Sequence, residues 1–201
     1  NLSNEGPALA VGDINGDKLD DVFIGGAKGQ SAKLFAQQSN GSFKSVHIPV
    51  LNIDLYTEDV DASFFDAEGD GDLDLYIVRG GNEVGMMDPM LADRLLINDG
   101  KGGFSKSEKG SIPFMAYNGS CVLPADFDAD GDIDLFVGSR SVPGAYGISP
   151  GQYLLENDGN GFFKDVTAKR CDEIQNIGLV TDASWIDYDK DGDLDLVVTE
   201  K

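Results

Sequence analysis

Four copies of one acidic loop constrain this chain more than any other feature. In Asp126-Phe127-Asp128-Ala129-Asp130-Gly131-Asp132-Ile133-Asp134, carboxylates stand at loop positions 1, 3, 5 and 9, Gly stands at position 6, and the apolar run Leu135-Phe136-Val137 follows. Asp66, Glu68, Asp70 and Asp74 repeat the spacing, as do Asp187, Asp189, Asp191 and Asp195. Asp13, Asn15, Asp17 and Asp21 form a looser copy, with Lys18 in place of the Gly. Asp and Gly are ordinary turn residues, so one copy would mean little. Four copies in register need a common cause. Anionic oxygens converging on one point, with a backbone carbonyl near position 7, suit a hard cation, and Ca²⁺ is the natural occupant.

An EF-hand requires a bidentate Glu at position 12 and flanking helices. Position 12 is Ile24, Ile77, Val137 and Val198, and none of these can ligate. Apolar, β-branched and aromatic residues flank each loop, which places it in a strand-to-strand hairpin. The position-9 residues recur at steps of 53, 60 and 61 residues. A unit of that length holds about four strands, the size of a propeller blade. The remaining strands recur as Leu34 and Phe43, Leu95 and Phe104, and Leu154 and Phe163, separated by Asn/Gly-rich turns such as Asn98-Asp99-Gly100 and Asn157-Asp158-Gly159. The expected architecture is all-β, with four-stranded antiparallel blades A–B–C–D at about residues 7–50, 58–110 and 118–170, and half of a fourth at 180–201. The segment from Asp88 to Arg94 predicts one helical turn, with Asp88 as cap and Pro89 at N1.

A formal charge of −21 disfavours nucleic acid and anionic membranes as partners. Four bound Ca²⁺ would bring it to about −13. No apolar run reaches the length of a membrane span. The chain begins at Asn1 without Met, which reads as a processed or excised product with its targeting signal upstream. Loops with few ligands suit millimolar calcium, so the expected location is extracellular, at the cell surface or periplasmic. Cys121 and Cys171 are either one disulfide closing about fifty residues or two buried thiols. Asn1, Asn40 and Asn118 open glycosylation triplets.

The strands, loops and closing hairpins together resemble FG-GAP or VCBS repeats, the blades of integrin-α-type β-propellers. The match is carried by Gly12-Asp13-Ile14-Asn15-Gly16-Asp17 with Asp21-Val22-Phe23-Ile24-Gly25-Gly26, by Asp126 to Gly138, and by Tyr153 to Thr167. Ser141 to Pro150 is similar to bacterial secreted proteins related to cartilage acidic protein, without their ASPIC/UnbV segment. The resemblance implies a seven-bladed ring with calcium in the A–B hairpins. It adds backbone oxygens at Leu19, Asp72, Asp132 and Asp193 to the sixteen side chains already named, and the substitution at Lys18 makes the first loop the least regular of the four.

Antiparallel order puts the A–B and C–D turns on one face and the B–C and D–A connections on the other. The metal is expected to be structural, and recognition of a protein or glycan is expected on the B–C side, from Arg79, Asn82, Asp88, Arg140 and Tyr146. A polysaccharide-processing enzyme is the competing reading, with Tyr146, Tyr153 and Arg140 as candidates, but no acid, base and nucleophile constellation supports it. An assembly subunit is a third reading, the ring being completed by the rest of the parent chain or by a partner that covers the open strand edge.

Overall fold

A computed structural model of the chain describes residues 7–53, 55, 57–81, 84–85, 87–145 and 147–200. It is an all-β molecule of four antiparallel sheets. The first blade is β1 (Leu9–Gly12), β2 (Asp21–Ile24), β3 (Lys33–Gln37) and β4 (Phe43–Val46). The second is β5 (Glu58–Phe65), β6 (Asp74–Gly80), β7 (Arg94–Asn98) and β8 (Phe104–Lys106). The third is β9 (Asn118–Ala125), β10 (Asp134–Ser141), β11 (Tyr153–Asn157) and β12 (Phe163–Asp165), and the last sheet pairs β13 (Val180–Ile186) with β14 (Asp195–Glu200). Each blade is a meander in sequence order, as the hairpin chemistry predicts, and the sheets do not close on one another.

The second strand of each inner blade is a continuous apolar run because it is covered on both faces. Side chains alternate across a strand, so Leu75 and Ile77 enter a core shared with Ile14, Phe23 and Leu34 of the first blade. Tyr76 and Val78 enter a second core with Val122, Leu135, Val137 and Leu155 of the third. Phe136 turns the other way, into a third core with Val166, Ile174 and Val180, against which Trp185 and Leu196 of the last sheet pack. Every core therefore lies between two blades. The first strands β1, β5, β9 and β13 pack side by side in turn. Gly119 sits where β9 crosses β6, and a Cβ there would collide with the Val78 side chain and lie 3.0 Å from the Arg79 carbonyl oxygen.

Short helical elements go beyond the sequence reading. Besides the expected 3₁₀ turn Pro89–Leu91, where Asp88 accepts the Met90 N–H at 2.9 Å, there are 3₁₀ turns at Pro49–Asn52 and Asp172–Asn176 and one turn of α-helix, α1 (Thr167–Arg170). Of the two alternatives for the cysteines, free thiols are found, but only one is buried: Cys121 lies inside the third core, and the half-buried Cys171 packs against it.

Candidate metal centre

All four acidic loops join a first strand to a second, and they share one backbone geometry. Position 4 is left-handed in each copy, at Gly16 (φ 76°), Gly69 (72°), Ala129 (60°) and Lys190 (64°). Position 6 is left-handed as well, at Lys18 (68°), Gly71 (92°), Gly131 (101°) and Gly192 (98°). Lys18 thus adopts the conformation that Gly supplies elsewhere, and the first loop keeps the shape of the others. Three copies hold one non-Gly residue each in a region that costs about 1–2 kcal/mol for an L-residue, so loop geometry is maintained against local preference.

The position-1 carboxylate gathers the loop's backbone. Asp13 accepts N–H groups from Asn15, Gly16, Asp17 and Lys18; Asp66 accepts from Gly69, Asp70 and Gly71; Asp126 accepts from Asp130 and Gly131. For Asp13, these bonds outweigh desolvation and pull its carboxyl below the usual range.

Position 9 has a second task. Asp21, Asp74 and Asp134 are wholly buried. In each, Oδ1 accepts the N–H of the last residue of the third strand (Gln37, Asn98 or Asn157, 2.8 Å), while Oδ2 accepts the position-2 N–H of its own loop (Ile14, Ala67 or Phe127). Burial pushes Asp74 up to about 7 and Asp134 to about 6, despite these bonds. In the last sheet Asp195 is exposed and keeps only the position-2 bond, to Tyr188 N–H, among those described.

Asn98 and Asn157 were legible only as turn residues, yet each clasps two blades. Asn98 Nδ2 donates to the Ile14 carbonyl of the preceding blade's loop (2.8 Å) and to the Leu73 carbonyl of its own (3.0 Å). Asn157 repeats this with Ala67 (2.9 Å) and Ile133 (3.0 Å). Position 2 is buried where the clasp covers it, at Ile14 and Ala67, and Tyr188 is 79% exposed.

Among the described residues, carboxylates from different residues converge to within 4.8 Å of one another in two groups: Asp126, Asp128 and Asp130, and Asp187, Asp189 and Asp195. Among the described residues the carboxylates of the first loop, Asp13 and Asp17, and of the second, Asp66, Glu68, Asp70 and Asp72, form no such group, although these loops, with Asn15 and the carbonyl position Leu19 in the first, keep the same fold. The donor set suits a hard cation, and a buried atom supports the fit. Asp128 Oδ1 is shielded from solvent and has no hydrogen-bond partner, and Asp72 Oδ1 in the second loop is in the same state. Desolvation and neighbouring carboxylates raise the pKa values of Glu68, Asp72 and Asp128. A cation would relieve that repulsion. Asp132, Asp191 and Asp193 remain on the loop surfaces, where Asp130 Oδ1 accepts the Asp132 N–H and Asp191 Oδ1 accepts the Asp193 N–H.

These loops, in this register on four-stranded blades, are what a repeat-family model recognises. The model for the FG-GAP-like repeat matches residues 13–77 and 80–137, more than half of the chain. The chain belongs to the FG-GAP-like repeat family. The match is to the repeat itself and reaches no narrower group. No curated protein matches the chain.

At the opposite end of the FG-GAP-like blades, the B–C and D–A connections of the second blade border an open cavity of about 240 Å³ lined by Arg79, Asp93, Arg94, Lys106, Glu108 and Ser111, among others. Arg79 is 3% exposed, so it belongs to this cavity and not to an open face. Asp93 accepts the Tyr76 hydroxyl (3.0 Å) and the Arg79 N–H (2.8 Å), and Arg94 pairs with Asp59 at 2.8 Å, whose other oxygen accepts the Gly26 N–H of the first blade. Asp88 serves as the turn cap, and Arg140 lies half-buried on β10. Asn82 and Tyr146 lie outside the described residues. The triplet asparagine Asn118 is 1% exposed; its Oδ1 accepts the Gly81 N–H and its Nδ2 donates to Ser141 Oγ, so its side chain is a blade-junction bond.

Proposed function

We propose that the chain is a non-catalytic, calcium-stabilised propeller module of a secreted or cell-surface protein, binding a protein or glycan through its B–C side. The observation that carries this reading is the third loop, where three carboxylates come within 4.8 Å of one another and Asp128 Oδ1 is buried without a hydrogen-bond partner. The fourth loop supports it with a second convergent group, and the shared backbone geometry of the first two loops extends it to up to four Ca²⁺. The metal's role is structural: it ties a carboxylate-rich hairpin that would repel itself, while the cavity beside Arg94 and Lys106 lies on the side expected to meet the ligand. Among the described residues no helix is long and apolar enough to cross a membrane.

The test is the thermal midpoint in about 2 mM CaCl₂, in the same concentration of MgCl₂, and in excess chelator. A site binding near 10⁻⁴ M would contribute about 1.8 kcal/mol, so the two convergent groups alone would contribute about 3.6 kcal/mol. A calcium-specific rise is expected, because Mg²⁺ demands a tighter octahedron and sheds water reluctantly. Equal midpoints in all three conditions would remove the calcium reading.

A further inference from the structure

The third loop is touched by a cation from its own chain. Arg170, the last residue of α1, places Nη2 2.5 Å from Asp128 Oδ2 and 3.0 Å from Glu156 Oε2. Its guanidinium carbon lies 5.9 Å from the centre of the Phe127 ring. The turn that presents Arg170 is itself fixed. Thr167 Oγ1 accepts the Leu154 N–H (2.8 Å) and donates to Asp165 Oδ1, which also accepts the Thr167 N–H (2.9 Å), and the Arg170 N–H donates to the Val166 carbonyl (2.9 Å).

We propose that Arg170 is a positioning residue for the cation of the third loop: it holds Asp128 by one carboxylate oxygen and leaves the other for the metal. This rests on the calcium reading above. Asp128 Oδ2 is bonded to the guanidinium and Oδ1 is shielded from solvent without a hydrogen-bond partner, so one oxygen of the carboxylate is committed and the other is left for a cation. Two effects oppose each other. The positive charge repels a divalent cation, but it is neutralised by two carboxylates and 39% exposed, where screening is strong. The orienting bond fixes a ligand that would otherwise turn away from Asp126 and Asp130, and outer contacts of this kind are worth roughly 10–100-fold in metal affinity. Orientation therefore dominates.

The experiment uses the 201-residue chain carrying Asp187→Asn and Asp189→Asn, which silences the fourth loop. Terbium luminescence excited through Trp185, the sole tryptophan, reports the third loop, because its ring stacks on Phe127 at 5.8 Å; calcium then competes for the site. Loss of the signal in Asp126→Asn assigns it. Arg170→Ala is expected to weaken terbium and calcium roughly 10–100-fold, with Arg170→Lys recovering part of the loss. If Arg170→Ala also lowers the midpoint in chelator, Glu156→Gln, which removes one anchor of the guanidinium, is expected to weaken binding in the same direction by a smaller factor. Unchanged affinity in Arg170→Ala overturns the proposal, and tighter binding does so by making Arg170 a competitor. Absence of any saturable terbium or calcium signal in the parent chain would instead bring down the calcium reading on which the proposal stands.

Discussion

Asp93 shows how one residue can set a pH response. Burial pushes its carboxyl up to about 7 from 3.8, outweighing the Arg79 N–H, the Tyr76 hydroxyl and the nearby guanidinium groups of Arg79 and Arg94. A carboxyl with a raised folded pKa binds its proton more tightly in the native state, so its contribution is complete below 3.8 and is lost as pH rises through about 7. The unfolding free energy of the parent minus that of Asp93→Asn should therefore fall across that window and stay flat on either side. A difference that rises with pH would show that the arginines keep Asp93 ionised. Arg94 adds a second constraint at the same end of the blade, since its partner Asp59 also holds Gly26 of the neighbouring blade.

At the level of elements, the hairpins were legible because their determinants are local. Period-2 apolar runs, Asn/Gly turns and position-9 carboxylates all act within a few residues, and the strands fall where those signals place them. What sequence reasoning missed is what acts at a distance. Asn157 looks like any turn asparagine, because the carbonyl of Ala67 that it serves is 90 residues away. Ala129 and Lys190 carry no mark of a left-handed backbone, which Gly would have shown, and Arg170 stands on a turn of helix without a counterpart among the repeat signals. Asn157→Ala removes both Nδ2 bonds and leaves two carbonyls at a blade junction unserved. It should lower stability by about 2–4 kcal/mol in urea unfolding, most of it the cost of unpaired buried oxygens. A change below about 0.5 kcal/mol would show that the clasp is dispensable.

The whole molecule is a row of blades in which every core is a seam. Its two outer faces carry apolar residues that have no covering blade among the described residues: Leu9, Val11 and Phe43 on one, Ile186, Tyr188 and Val197 on the other. Beside the second face runs β14, the outer strand of a two-stranded sheet. An unpaired edge next to exposed apolar side chains recruits further strands. The 201-residue polypeptide should self-associate with rising concentration in sedimentation velocity, and Val197→Lys should reduce the association; a monomer at every concentration would rule out a sticky edge. The clasp has one more consequence, for the order in which such a chain matures. The Ile14 carbonyl waits for Asn98, 84 residues later, and that of Ala67 for Asn157, 90 residues later. As the polypeptide leaves the ribosome, each of the first two acidic loops stays unfinished until the following blade has emerged and docked, so their maturation runs one blade behind synthesis.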